Sequence, residues 1–290
     1  MLRFGEKCRR FKPCADNQLL VFSFFRNRRR KRWLARQEPR EWGEWLERNV
    51  WQYRHLDDRQ AKKIHDFVCI LYHEKEWAGG GKLVVTDEMR ITIAGQAALL
   101  TLGFVKPYFF ERLRTIIVYP KPFRARPEST DDLLLGKHSE ALVDFSARSG
   151  ESWQGGPIIL AWNIVLKEGQ SARCGRSLVA HEFAHHMDGL DGQTDGSPPI
   201  TDYEFEKRWY RVTSQEHRRL LRFARSGSPT LLDHYGAENQ AEFFAVATEC
   251  FITRPHALAR EHGELFSVLS RLFGQDPRQW IPAQLEKAVD

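Results

Sequence analysis

Residues 177–189 read Ser-Leu-Val-Ala-His-Glu-Phe-Ala-His-His-Met-Asp-Gly, a stretch with the length and apolar spacing of a helix and a glycine placed to end it. Residues four apart stack on one face of a helix, so the imidazoles of His181 and His185 can both reach one zinc ion. Between them, Glu182 can hold a water at that ion and take its proton as general base. This segment constrains the chain more than any other. It requires a helix here and a third protein ligand from elsewhere, since a catalytic zinc takes three protein ligands and leaves its fourth place to water. The competing reading is a His-Glu-His surface stripe that holds no metal.

Three carboxylates can supply the third ligand. Asp191 has the spacing of extended metzincin motifs, but Asp188 stands where that pattern wants Gly, and no Met follows Met187 to build a Met-turn. Glu204 follows His185 at the spacing of some aminopeptidase gluzincins, without their Asn-Glu context. Glu242 lies in Gln-Ala-Glu-Phe-Phe-Ala-Val-Ala-Thr-Glu, where a carboxylate among apolar residues on a buried-looking helix is costly unless it is paired or ligates a metal. Glu249 follows two helical turns later on the same face and is placed to support the site from behind. The alternative for both glutamates is an ion pair with one of the many arginines.

Charge distribution argues against nucleic acid as the partner. Residues 1–40 hold 13 Lys/Arg against 3 Asp/Glu, whereas the remaining 250 residues hold 31 against 35. The basic character belongs to a leader, residues 1–38, which reads as solvated and partly disordered. Its run Arg-Asn-Arg-Arg-Arg-Lys-Arg at residues 26–32 could also touch phosphates or an anionic membrane surface. The longest early apolar run, residues 19–25, is too short to span a bilayer, and no small-residue cleavage site follows it. Five scattered cysteines include no Cys-x-x-Cys pair, which suits reduced thiols in a cytoplasmic protein.

Hydrophobic content of 42% with 28% charged residues is that of a globular chain. Residues 39–77 have helical periodicity, broken by Gly79-Gly80-Gly81. Thr86 then heads a capped helix that ends at Gly103. Strands are expected at residues 115–119 (TIIVY), near 141–145 and at 157–162 (PIILAW), with a loop around 124–138. Further helices follow the His-Glu-x-x-His segment at about 203–225, at 238–253 up to Pro255, and at 257–273. The expected class is α+β, a small sheet among helices with a helical C-terminal half. The domain should cover residues 39–275, and residues 276–290 form a tail.

The segments HEFAHHMD and DHYGAENQAEFFAVATECF, with TDEMRITIAGQAALLTLG, IIVYP, ILAW and the helix around Trp209, resemble the zinc-dependent peptidases of the Mlc titration factor A family. The likeness covers roughly residues 35–275. That family in turn resembles the catalytic domain of anthrax lethal factor. The resemblance implies a zincin-like gluzincin peptidase with His181, His185 and Glu242 as zinc ligands and Glu182 as base. It further implies that Tyr235, seven residues before Glu242, contributes a phenol to the site. Two departures stand out. Gly95 occupies a position where the family more often has Ala. LLVFSFFRNRRRKRWLA looks like a family N-terminus, which points to a translation start near Leu20 or Val21.

The mechanism so implied is amide hydrolysis of a peptide or protein substrate, with the strand at 157–162 pairing with the extended peptide. A non-catalytic alternative is a protein that sequesters a transcription regulator, in keeping with the Mlc repressor that gives the family its name. No direct nucleic acid contact and no transmembrane segment are expected.

Overall fold

Asp57 accepts the Gln60 amide at 2.7 Å while the Gln60 side chain takes the Asp57 amide at 3.1 Å, a reciprocal cap that starts a helix where the periodicity requires one. Residues 16–122 and 156–286 are described by a computed structural model, with side chains from residue 25 onward in the first stretch. The loop and strand expected at 124–138 and 141–145 lie outside them. The chain divides into Met1–Gln37 and Glu38–Asp290. The first unit holds helix α1 (Asp16–Leu34), so the basic leader is helical over this stretch. Leu, Arg and Lys are good helix formers, and Arg29 lies 5.1 Å above the Trp33 ring.

The second unit opens with α2 (Arg40–Asn49), α3 (Asp58–Glu74), β1 (Glu76–Gly79), α4 (Asp87–Ala98), β2 (Thr115–Tyr119) and β3 (Ile158–Ala161). Thr86 caps α4 by accepting the Met89 amide at 3.3 Å, as its sequence position suggested. The three strands pair in parallel in the order β1-β2-β3, with Glu76 opposite Thr115 and Ile116 opposite Ile158. In β2, Ile116 and Val118 are buried while their neighbours are half-exposed, the alternation of a strand with one face on the core. Strand β1 was not expected. Its four residues, Glu-Trp-Ala-Gly, carry no alternation and directly continue the helical stretch. Helix α2 crosses α4 at Gly95, where a Cβ would meet Leu46 Cδ2 at 2.4 Å. An Ala there would force Leu46 to turn aside.

Then come α5 (Trp162–Gln170), α6 (Leu178–Asp188), α7 (Tyr203–Ser226), α8 (Gln240–Thr253), α9 (Pro255–Glu261) and α10 (Gly263–Phe273). Gly189 does not end α6 alone. The chain passes through a 3-10 turn, Gly189–Asp191, before Gly192 takes the left-handed conformation at φ 96°. Pro255 both follows α8 and occupies the first turn of α9, where its missing amide is not needed. The helix expected at 257–273 is split at His262, whose backbone leaves the helical region at φ −136°, ψ 53°. Trp209, Phe183, Phe243, Phe244, Phe251 and Phe273 are fully buried between these helices. Each side chain of that kind contributes about 1.5–3 kcal/mol. This core fixes α6 against α8, and the site lies on that contact.

Candidate metal centre

Helix α6 begins with its free amides taken up one by one. Ser177 Oγ accepts the Ala180 amide at 3.2 Å, Glu249 Oε2 the Ser177 amide at 2.9 Å, and Glu168 Oε2 the Leu178 amide at 2.6 Å. These carboxylates also suit the positive end of the helix dipole. Burial raises the Glu168 carboxyl to about 7, with the Glu249 charge adding to the rise and the Leu178 hydrogen bond opposing it.

One turn into α6, the ring of His181 meets that of His185 with Nε2 atoms 3.1 Å apart. Glu242 Oε2 lies 3.1 Å from His181 Nε2 and 3.3 Å from His185 Nε2. Glu242 stands in the first turn of α8, which Asn239 caps by accepting the Glu242 amide at 2.9 Å. The three side chains are buried to within 7%, 13% and 6% exposure for His181, His185 and Glu242.

The arrangement fits a small divalent cation. Four tetrahedral ligands about 2.0–2.1 Å from an ion stand about 3.3 Å from one another, and the three donor atoms here are 3.1–3.3 Å apart. Glu242 Oε2 is buried and turned toward both imidazole Nε2 atoms, the place an ion would occupy. On the far side of His181, Nδ1 lies 2.8 Å from Glu249 Oε1, the carboxylate–histidine arrangement that aims Nε2 at a metal. His181, His185 and Glu242 form a group able to hold a metal ion among the described residues.

Electrostatics point the same way. Burial by itself would lower the His181 imidazole, but hydrogen bonds to Glu242 and Glu249 outweigh it and hold its pKa well above the usual value. Burial would likewise raise the Glu242 carboxyl, yet the two imidazoles draw it down to about 2. Two histidines thus face the carboxylates of Glu182, Glu242 and Glu249, a concentration of negative charge that suits a divalent cation. Glu182, on the same helix, has its pKa raised chiefly by burial and further by Glu242 and Glu249, against the pull of His181 and His185. A carboxyl raised in this way is the stronger base.

The other candidate ligands stand apart. Asp191 is exposed and accepts the Gln193 amide at 2.9 Å. Glu204, in the first turn of α7, is 81% exposed and 3.5 Å from Lys207 Nζ. His186 is turned elsewhere, its ring 5.8 Å from that of Phe110. Burial, with Lys75 and Arg112 nearby, lowers it to about 4. Tyr235 sits in a 3-10 turn, His234–Ala237, with its ring 6.0 Å from that of His181. After α6 the chain returns to the start of α8 at Gly196, left-handed at φ 81°, where a Cβ would lie 2.3 Å from the Gln240 carbonyl oxygen. Buried Asp188 fixes this return by accepting the Gly196 amide at 2.9 Å. Sequence reading passed over Glu168, a lone glutamate near a helix end whose partner is ten residues away, and over Asp233 before Tyr235. An acidic residue one or two places before a short turn is the signal that could have found Asp233.

The chain belongs to the family described as glucose-regulated metallo-peptidase M90, which matches residues 25–274. It is similar to an uncharacterized protein from Synechocystis, 33% identical over 251 residues, covering 86% of this chain and 89% of the relative. It also resembles the Mlc titration factor A of Serratia proteamaculans, 30% identical over 77% of this chain and 82% of the relative. The Mlc titration factor A of Salmonella agona is 31% identical over 69% of this chain and 72% of the relative.

Proposed function

We propose that the protein is a zinc-dependent peptidase of the gluzincin type with a zincin-like core, acting on a peptide or protein in the cytoplasm. His181, His185 and Glu242 hold the ion, and Glu182 and Tyr235 carry the proton and oxyanion chemistry. What supports this reading is the triangle of donor atoms, 3.1–3.3 Å on its sides, with a carboxyl of raised pKa on the same helix. Zinc, when bound, supplies a Lewis acid that polarises the scissile carbonyl and acidifies water. Glu182 takes the water proton and returns it to the leaving amine. The Tyr235 phenol donates a hydrogen bond to the oxyanion, an interaction made only in the transition state. Cys174 and Cys250, both outside any disulfide, suit a reducing compartment, and no helix among the described residues is long and apolar enough to cross a membrane.

The test is peptide hydrolysis by the wild type against Glu182→Gln at equal zinc content. A loss of about 10²-fold or more with zinc retained is expected. Equal turnover would dismiss Glu182 as the base. The names of the Serratia and Salmonella relatives favour a second reading, in which the protein binds an Mlc-type repressor and the metal site is secondary. Under that reading Glu182→Gln binds the repressor as wild type does, and neither protein hydrolyses peptide.

A further inference from the structure

Arg176 stands immediately before Ser177, the cap of α6, and its guanidinium pairs with Asp233 Oδ2. The other oxygen of that carboxylate, Oδ1, accepts the Tyr235 amide at 2.9 Å and caps the turn that carries the phenol. Asp233 therefore links the start of the helix bearing His181 to the backbone of Tyr235. Further ties of this turn run within it, to the preceding loop and, through Ala237, to His217 of α7. The Gly236 amide reaches the Asp233 carbonyl at 3.0 Å, the Glu238 amide the Tyr235 carbonyl at 3.1 Å, and the His234 ring the Ser228 carbonyl at 3.0 Å. The Asp233 carboxylate adds a link across to α6.

The exposure of the pair separates position from stability. Arg176 is 63% and Asp233 33% exposed, so the ion pair adds little to the folding free energy. A donor meant for an oxyanion is sensitive in another way, since misplacement by about 1 Å can cost about 10²-fold in rate. We propose that Asp233, braced by Arg176, is a positioning residue that fixes the Tyr235 phenol beside the His181–His185–Glu242 cluster. This rests on the reading of Tyr235 as the oxyanion donor.

The experiment compares Asp233→Ala, Asp233→Asn, Arg176→Ala, Tyr235→Phe and the Asp233→Ala/Tyr235→Phe double variant in the full-length, zinc-loaded chain. The substrate is a quenched fluorescent peptide that the wild type cleaves. Zinc content, thermal midpoint and amide hydrogen exchange at Tyr235 in metal-free protein are measured alongside. Asp233→Ala is expected to lower kcat about 10- to 100-fold, with KM and zinc content unchanged and faster exchange at the Tyr235 amide. Asp233→Asn retains an acceptor for that amide and Arg176→Ala retains the cap, so both should fall between Asp233→Ala and wild type. In the Tyr235→Phe background Asp233→Ala should cause no further loss, because the group it positions is gone. Wild-type turnover in Asp233→Ala, with Tyr235→Phe impaired, overturns the positioning role and leaves the phenol's role standing. Losses that multiply in the double variant also overturn it. Wild-type turnover in Tyr235→Phe overturns the phenol's role, and the positioning role with it. Should Asp233→Ala lose zinc or fail to fold, Arg176→Ala decides. A kcat loss that vanishes in the Tyr235→Phe background supports the proposal, and unchanged turnover overturns it.

Discussion

Glu249 Oε1 lies 2.8 Å from His181 Nδ1, while Nε2 of the same ring faces Glu242 Oε2 at 3.1 Å. The carboxylate therefore holds the proton on Nδ1 and leaves Nε2 as the donor atom. Glu249→Ala also strips an acceptor from the Ser177 amide at the start of α6. Zinc affinity should fall about 10- to 100-fold, read by competition with a chromophoric chelator. Glu249→Gln, which can still accept from either partner, should lose less. An affinity equal to wild type in the Ala variant would leave Glu249 with a purely structural task.

Glu242 and Glu204 make opposite predictions for metal content. Purified wild type should carry about one zinc per chain. Glu242→Ala should lose most of it, whereas Glu204→Ala, altering a side chain that is 81% exposed, should keep it all. Metal analysis after dialysis settles the choice, and the reverse result would mean that the ligand has been misassigned.

Deleting residues 1–34 should leave zinc content and peptide hydrolysis near wild type. The residues proposed for chemistry all lie in the unit Glu38–Asp290. A folded, zinc-loaded variant without activity would tie α1 to catalysis.

Glu216 on α7 and His262 at the start of α10 form a contact at 2.7 Å that should make stability depend on pH in acid. Burial would raise the Glu216 carboxyl, but the His262 hydrogen bond, with the charges of His262 and Arg219, outweighs it and leaves the pKa below the usual value. The unfolded chain therefore binds more protons than the folded one in acid, and stability rises with pH there. Its contribution is present above the ordinary glutamate pKa of 4.5 and is lost as pH falls through the lower folded value. Glu216→Gln should cost about 1–3 kcal/mol in urea unfolding at pH 7, and the deficit should shrink as pH drops below that point. A deficit that stays constant with pH would show that packing dominates the contact.

The amphipathic helices were readable because their caps and apolar spacing are local. Thr86 before α4 and the period-four pair in α6 each advertise themselves within a single turn. Strand β1 was not readable, because its pairing with β2 joins Glu76 to Thr115 across a whole helix and loop. The break at His262 escaped although Gly263 follows it, because a single glycine inside a helical pattern is often tolerated, and the interruption shows in the His262 backbone at φ −136°, ψ 53°. At the site, Glu242 could be singled out as a carboxylate in an apolar run. The family resemblance preferred it to Asp191 and Glu204, and the distances between helices bring it beside His181 and His185. Glu168 acts on a backbone amide ten residues away, which has no side-chain signature to match, whereas Asp233 shows only as an acidic residue just before a short turn.

Helices α6 and α8 pack against each other, and Phe183, Ala184, Phe243, Val246 and Ala247 on them are all buried. This apolar packing has a consequence for how an ion is acquired. In a zinc finger the metal must gather its own ligands, so binding and folding are one event. Here the conformational entropy of bringing His181, His185 and Glu242 together is met by apolar burial when the helices dock. The donor cage is preorganised, and an ion entering it has little left to order. Exchange of zinc for cobalt should therefore leave secondary structure and melting cooperativity the same, as circular dichroism through the cycle would read.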